Sequence, residues 1–166
     1  TWRGDAARSA VTAERLSTDL ALHWKLHLPT PRPAWPDEQG KVRFDASYEP
    51  VAAGGHLFVP SMVDDSVTAY RLTDAALVWR CYADGPVRFA PVVHGDRVLF
   101  VSDDGHLYCV TADRGTLVWK LRGGPRNRKV LGNDRLVSMW PARGAPVVYG
   151  DTVYWAAGIW PFMGVF

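Results

Sequence analysis

Cysteine is scarce in this chain: Cys81 and Cys109 are the two among 166 residues, too few for a disulfide framework or a zinc cluster. No stretch approaches the 18 apolar residues that mark a membrane-spanning helix. The opening Thr1-Trp2-Arg3-Gly4-Asp5 has no apolar core of a signal peptide, so a leader is expected to be already removed or never present. Neither sign of charge dominates. Nineteen Lys and Arg against 17 Asp and Glu leave +2, with 22% charged and 48% hydrophobic residues. That balance excludes a disordered tail and a basic nucleic-acid-binding protein, so no nucleic-acid partner is expected. Sustained helical periodicity is missing too. Residues 6–22 have room for one helical turn with Thr12 as its cap, and Pro29, Pro31, Pro33 and Pro36 make the next stretch extended or irregular.

The usual signatures of chemistry are also absent. There is no Gly-x-Ser-x-Gly elbow, Walker loop or dinucleotide fingerprint, and Gly123-Gly124-Pro125 lacks the Lys-Ser/Thr of a phosphate loop. The five histidines, His23, His27, His56, His94 and His106, show no zinc-ligand spacing. His23 and His27 would share one face of a strand, yet stand about 13 Å apart at strand rise, too far for one metal. No catalytic residue and no metal ligand is expected.

What the chain does have is eight Trp, 15 Gly, 12 Pro and a repeat. Pro50-Val51-Ala52-Ala53-Gly54-Gly55-His56-Leu57-Phe58-Val59 aligns with Pro91-Val92-Val93-His94-Gly95-Asp96-Arg97-Val98-Leu99-Phe100. Double-aspartate turns follow, Asp64-Asp65-Ser66 and Asp103-Asp104-Gly105, and then Leu77-Val78-Trp79 and Leu117-Val118-Trp119. A third copy opens at Pro146-Val147-Val148-Tyr149-Gly150-Asp151. Each full copy reads as four short strands, in the second copy 92–93, 98–101, 107–110 and 117–121, separated by Gly-Asp, Asp-Gly and Arg-Gly turns. Four strands in a unit of about 40 residues predict an all-β fold of four-stranded antiparallel β-propeller blades. The expected divisions are an N-terminal segment 1–49, a blade at 50–90, a second at 91–145 and the start of a third at 146–166. Before the first blade, Ala21-Leu22-His23-Trp24 resembles a Leu-x-Trp strand, so residues 21–27 are expected to form a strand with a Pro-rich linker after it.

The second copy carries an insertion at 123–144. Residues 120–143 hold seven basic side chains opposed by Asp134 alone, so this segment is +6 and the remainder −4. It reads as a solvated loop or a partner-binding loop, with Arg126, Arg128 and Lys129 as its candidate contacts. The paired aspartates recur at one turn, which argues for turn chemistry over calcium ligation, since Asp hydrogen-bonds its own backbone two residues on. The positions just before each first strand ring the channel mouth of a propeller. Aligning the copies superposes Ser47, Arg88 and Arg143, with Tyr48, Phe89 and Gly144 next to them. Glu49, Trp140 and Trp160 are expected near the same rim. Arginines beside aromatics suit an anionic ligand through forked hydrogen bonds, or else brace neighbouring loops.

The pattern Pro91-Val92-Val93, Gly95, Val98-Leu99-Phe100, Asp104-Gly105, Leu107-Tyr108, Gly115 and Leu117-Val118-Trp119 resembles the pyrroloquinoline-quinone (PQQ)-like repeat of the quinoprotein-dehydrogenase-like β-propellers. Ala75 stands where that pattern prefers glycine, and Arg71 and Thr111 replace its usual aspartate. The resemblance implies a ring of seven or eight blades, of which this chain supplies part. It implies that Trp79 and Trp119 are docking tryptophans between blades, that residues 21–27 are a ring-closing strand, and that the location is periplasmic or extracytoplasmic. The expected role is a non-catalytic scaffold that binds a protein or a small anionic ligand on its loop face, completed by further blades or another chain. The alternative is part of a PQQ-dependent dehydrogenase using quinone and calcium. Cys81 and Cys109 are not vicinal, as that family's redox cysteines commonly are, so no cofactor is expected in this chain itself.

Overall fold

Alternation of buried and exposed residues gives way to continuous apolar runs in the middle of the chain, and the topology explains why. The computed structural model describes residues 5–35, 44–132 and 134–166. Strands β1 (Val51–Ala53), β2 (His56–Ser61), β3 (Ser66–Arg71) and β4 (Leu77–Tyr82) form one antiparallel sheet in sequence order. Strands β5 (Val92–His94), β6 (Arg97–Val101), β7 (His106–Thr111) and β8 (Leu117–Arg122) form a second sheet in the same order. Two hairpins follow, β9 (Lys129–Gly132) with β10 (Arg135–Ser138) and β11 (Val147–Tyr149) with β12 (Thr152–Tyr154). Inner strand β11 lies beside inner strand β5, so β11–β12 is the inner half of a third blade.

The second sheet is buried on both faces. Val98, Phe100, Tyr108 and Val110 pack with Phe58, Val67, Ala69, Trp79 and Val87 of the first blade's side. The alternate residues Leu99, Val101, Leu107 and Cys109 pack with Trp140, Ala142 and Ala157 on the other side. Period-two alternation sends neighbours to opposite faces, so a blade sandwiched between two others reads as an unbroken apolar run.

Both blades carry a bulge at the same place. Val78 and Val118 are skipped where Trp79 pairs with Ala69 and Trp119 with Cys109. A bulge re-aims side chains, and here it falls beside the tryptophan. The turn after the third strand is identical in both: Ala75 N–H bonds Arg71 O and Gly115 N–H bonds Thr111 O, each at 2.9 Å. Ala75 and Gly115 hold left-handed φ values of 56° and 67°. Ala75 thus adopts the glycine conformation without being glycine.

Docking is specific. Trp79 Nε1 donates to Ala112 O at 2.9 Å, across the blade boundary. Trp24 Nε1 donates to Leu72 O at 2.7 Å, the same position one repeat earlier.

Several sequence expectations need correction. Residues 21–27 belong to no sheet; they run extended, held by the Trp24 bond and by His23 Nε2 on Thr73 O at 2.7 Å. Their partner strands are not among the described residues, so edge pairing is lacking while tryptophan docking persists. Residues 6–22 contain no helix, and the Thr12 hydroxyl accepts the Glu14 N–H in a local turn instead. Trp119 is not buried: it is 41% exposed, because among the described residues no outer strands cover it beyond β11–β12. The insertion is not a plain loop, since it contains hairpin β9–β10. Finally, the double aspartates are out of register. Ser61 pairs with Ser66 and Ser102 N–H bonds His106 O, so the first turn is one residue longer. Asp64 therefore matches Asp104, Asp65 (φ 55°) matches Gly105 (φ 84°), and Asp103 falls opposite Val63, with no acidic counterpart.

Candidate functional site

In this topology the segments leading into β1, β5 and β11 lie on the same face as the β2–β3 and β6–β7 turns. Asp103, in the β6–β7 turn, is 1% exposed and collects two guanidinium groups. Arg88 Nε donates to Asp103 Oδ2 at 2.7 Å, and Arg143 donates through Nε at 3.1 Å and Nη2 at 3.2 Å. Arg88 Nη1 also donates to Asp45 Oδ2 at 2.5 Å and to Arg32 O at 2.8 Å. The Ala34 N–H donates to the same Asp45 Oδ2 at 2.8 Å. The result is a buried chain of alternating charge, Asp45–Arg88–Asp103–Arg143, which ties the N-terminal segment to the approaches of the second and third blades. Its formal charge is zero. Burying ions is tolerable only when they are paired and hydrogen-bonded, as here.

Each end of this chain carries a buried atom without a hydrogen-bond partner among the described residues; at the first end it is Asp45 Oδ1. Arg143 Nη1 is buried and has no hydrogen-bond partner among the described residues. Its guanidinium carbon stands 5.3 Å from the Trp35 ring centroid and 5.9 Å from that of Phe44. Those rings, with Phe89, Ile159 and Trp160, line a cleft of about 380 Å³. Phe44 stacks on Phe89 at 5.5 Å, and Trp35 meets Trp160 edge-on at 6.0 Å. A second cleft shares Trp35, Arg143, Ile159 and Trp160 and continues to Val130, Leu131 and Gly132 of hairpin β9–β10. The two together form a groove.

The structure brings Phe89, Arg143 and Trp160 together in the cleft. Arg88 lies beneath it, wholly committed to carboxylates and a carbonyl. Glu49 sits alongside, its Oε2 accepting the Ala90 N–H at 2.9 Å. Tyr48 lies elsewhere, its hydroxyl donating to Pro29 O at 2.9 Å. Trp140 is core, its Nε1 donating to Met163 O at 2.7 Å. Arg126, Arg128 and Lys129 are exposed next to the hairpin wall of the groove. Trp35, Phe44, Asp45 and Ile159 were not legible as site residues: the first three lie outside the repeat. A lone buried-pair aspartate such as Asp45 has no spacing signal.

Hairpin β9–β10 is fixed by Arg135, which pairs with Asp65 and donates to Met62 O at 3.1 Å in the first blade. Burial nevertheless pushes the Asp65 carboxyl above the usual range. Below the second blade's turn, the Tyr108 hydroxyl donates to Asp104, and Lys120 donates to Asp84 Oδ2 at 2.9 Å. Burial and the Asp104 charge push the Tyr108 phenol far up. Lys120 holds the Asp84 carboxyl below the usual range. Cys81 and Cys109 are free thiols raised by burial, on differently placed strands, and have the character of small hydrophobes. Among the described residues no group of three His, Cys, Asp or Glu is placed to hold a metal ion.

Four-stranded antiparallel blades, docked through an outer-strand tryptophan on the turn of the next blade, define a PQQ-like repeat propeller. Residues 12–158 match the family described as outer membrane protein assembly factor BamB, and the chain belongs to that family. Among solved structures it is similar to a quinohemoprotein alcohol dehydrogenase from Pseudomonas putida HK5, at 20% identity and TM-score 0.52, covering 66% of this chain and 16% of that one. It is similar to a europium-containing methanol dehydrogenase at 20% identity and TM-score 0.51, covering 77% and 23%. BamB from Moraxella catarrhalis matches at 16% identity and TM-score 0.42, covering 63% and 40%. The chain thus spans less than half the length of each of these proteins. No curated protein matches it. Among the described residues no helix is long and apolar enough to cross a membrane.

Proposed function

We propose that this chain is a non-catalytic propeller scaffold that binds a protein partner on its loop face, in a periplasmic or extracytoplasmic location. The observation that carries this reading is the aromatic cleft around Arg143, built on an internally neutralised ion chain. Because Asp45 and Asp103 already balance both arginines, the site has little net charge to offer a free anion. Rigid aromatics around one unfilled donor suit a protein segment better, as aromatic and arginine anchors do at interfaces. Family membership supports both the scaffold role and the location.

A second partner is structural. Every residue of outer strand β8 is exposed, and β12 is the unpaired edge of the third blade's hairpin. Such edges call for a covering strand. The remaining blades, in the same or a complementing chain, fit there. We propose also that the chain alone takes up neither PQQ nor calcium.

The test has two arms. A photo-crosslinker placed at Phe89, in the cell of origin, is expected to trap one protein, and that adduct should vanish when Phe44 is replaced by Ala. Titration with PQQ and calcium, with an alcohol and an artificial electron acceptor, is expected to give no binding and no dye reduction. Tight quinone uptake with turnover would overturn the scaffold reading in favour of a dehydrogenase.

A further inference from the structure

Resting on the scaffold reading above, we infer that the groove between hairpin β9–β10 and Phe89 binds an extended peptide segment of its partner, with one bulky apolar side chain and flanking acidic residues. Four observations specify that occupant. The cleft at Phe44, Phe89, Trp35 and Trp160 is lined by stacked and edge-on rings, is open to solvent, and has the volume of a large side chain with room around it. Arg143 Nη1 is buried without an acceptor, and the side chain is 8% exposed, so the donor is held in place and desolvated before anything binds. An unfilled buried donor is costly, and once the rings around Nη1 shift enough to admit an acceptor, that acceptor relieves the cost.

The acceptor is a neutral carbonyl. Arg143 already forks onto Asp103, which Arg88 shares, and Arg88 is balanced by Asp45. A second carboxylate at Nη1 would add an unbalanced charge to a buried neutral chain, whereas a peptide carbonyl adds none. An extended backbone supplies such a carbonyl next to each side chain.

The groove also has a direction. From Arg143 it runs along Trp35 and Trp160 to Val130 and Leu131, and Leu131 is 75% exposed. That wall belongs to the segment carrying +6, where Arg126, Arg128 and Lys129 are solvent-facing. A peptide seated in the cleft places its neighbouring residues near these cations, so acidic residues there gain screened but favourable attraction.

The test uses blocked synthetic peptides with the intact chain. The reference peptide is Asp-Glu-Gly-Phe-Gly-Glu-Asp, acetylated and amidated; companions replace Phe by Ala, or every acidic residue by Lys. Binding is followed by tryptophan indole N–H shifts and by titration calorimetry. The reference is expected to bind at low salt, with Phe→Ala in the peptide weakening it at least about tenfold, as for a central anchor. The Lys peptide should not bind. Phe89→Ala and Leu131→Ser should each weaken the reference, and R128E with K129E should remove its preference over the Lys peptide. The first two lie at the rim and on an exposed wall, so fold loss is checked by circular dichroism. Equal binding of acidic and Lys peptides, equal displacement by benzoate or inorganic phosphate, or no binding up to millimolar peptide would overturn the inference. In each of those cases the scaffold reading survives if the Phe89 crosslink still forms, and fails with it if no adduct appears.

Discussion

Trp24 and Trp79 make the same bond one blade apart: each indole N–H reaches the backbone carbonyl at one fixed point of the next blade's turn, Leu72 or Ala112. Trp119 is the third member of the series and, among the described residues, has no such carbonyl in front of it. The three rings therefore differ in burial for a reason of position, not of residue type.

That ordering predicts unequal costs. Trp79→Ala should lower unfolding free energy by about 3–5 kcal/mol, the range for a buried aromatic. Trp119→Ala should cost under about 1.5 kcal/mol, since its ring keeps 41% of its surface in water. Urea denaturation of both variants checks this, and equal losses would refute the docking asymmetry.

Gly115 and Ala75 hold equivalent left-handed positions, yet they should respond differently. A Cβ on Gly115 would come within 2.5 Å of the Trp79 ring. Gly115→Ala is therefore expected to cost about 1–3 kcal/mol through overpacking. Ala75→Gly exchanges backbone strain for unfolded-state entropy and should stay within about 1 kcal/mol of the parent. Thermal melts of the pair separate clash from conformation.

Asp103 anchors both Arg88 and Arg143. Asp103→Ala should leave the buried Arg143 guanidinium without a carboxylate and Arg88 with Asp45 alone, at about 3–5 kcal/mol. The cleft should loosen with it, visible as loss of the fixed near-ultraviolet signal of Trp35 and Trp160. A variant that melts like the parent would show the ion chain to be dispensable.

Tyr108 gives the pH dependence. Burial and Asp104 raise its phenol above the ordinary value near 10. Above that pH the unfolded state loses the proton and the folded state keeps it, so the unfolded state binds fewer protons. Stability should be unaffected by this group below about pH 10 and fall above it, by about 1.4 kcal/mol per pH unit. Tyr108→Phe should flatten that alkaline slope while costing about 1–3 kcal/mol at neutral pH, because Asp104 loses its donor. Denaturant midpoints between about pH 8 and about pH 11 check this.

The blades were legible because their rules are local: period-two patterning, turn glycines and a repeated tryptophan each leave a mark within one unit. The family and the propeller class followed from those marks. The expected ring-closing strand stands apart, since the blade it would complete is not among the described residues. Residues 21–27 carry strand-like residues, but a strand exists only where a neighbour pairs with it, and pairing is not a local property. Asp103 and Asp104 looked like a repeated turn until the extra residue in the first turn shifted the frame. The cleft was half legible. Phe89 and Arg143 stand just before first strands and Trp160 is expected near the same rim, and all three line the cleft, whereas Trp35, Phe44 and Asp45 come from a non-repeating segment whose partners lie far off in sequence.

Arg135, in the insertion of the second blade, reaches back to Asp65 and Met62 of the first, and Arg8 donates to Ala145 O before the third at 2.8 Å. Repeat arrays ordinarily behave as a row of units, each sensing only the one beside it. The Arg135 strap strengthens the link between neighbours, and the Arg8 strap adds one that reaches past the first blade. Mechanically, the second blade is held between clamps, so it cannot peel away from one end while the other stays intact. Amide exchange across β6 and β7 should then report a single opening event shared with the first blade, in place of the graded fraying of an open-ended stack.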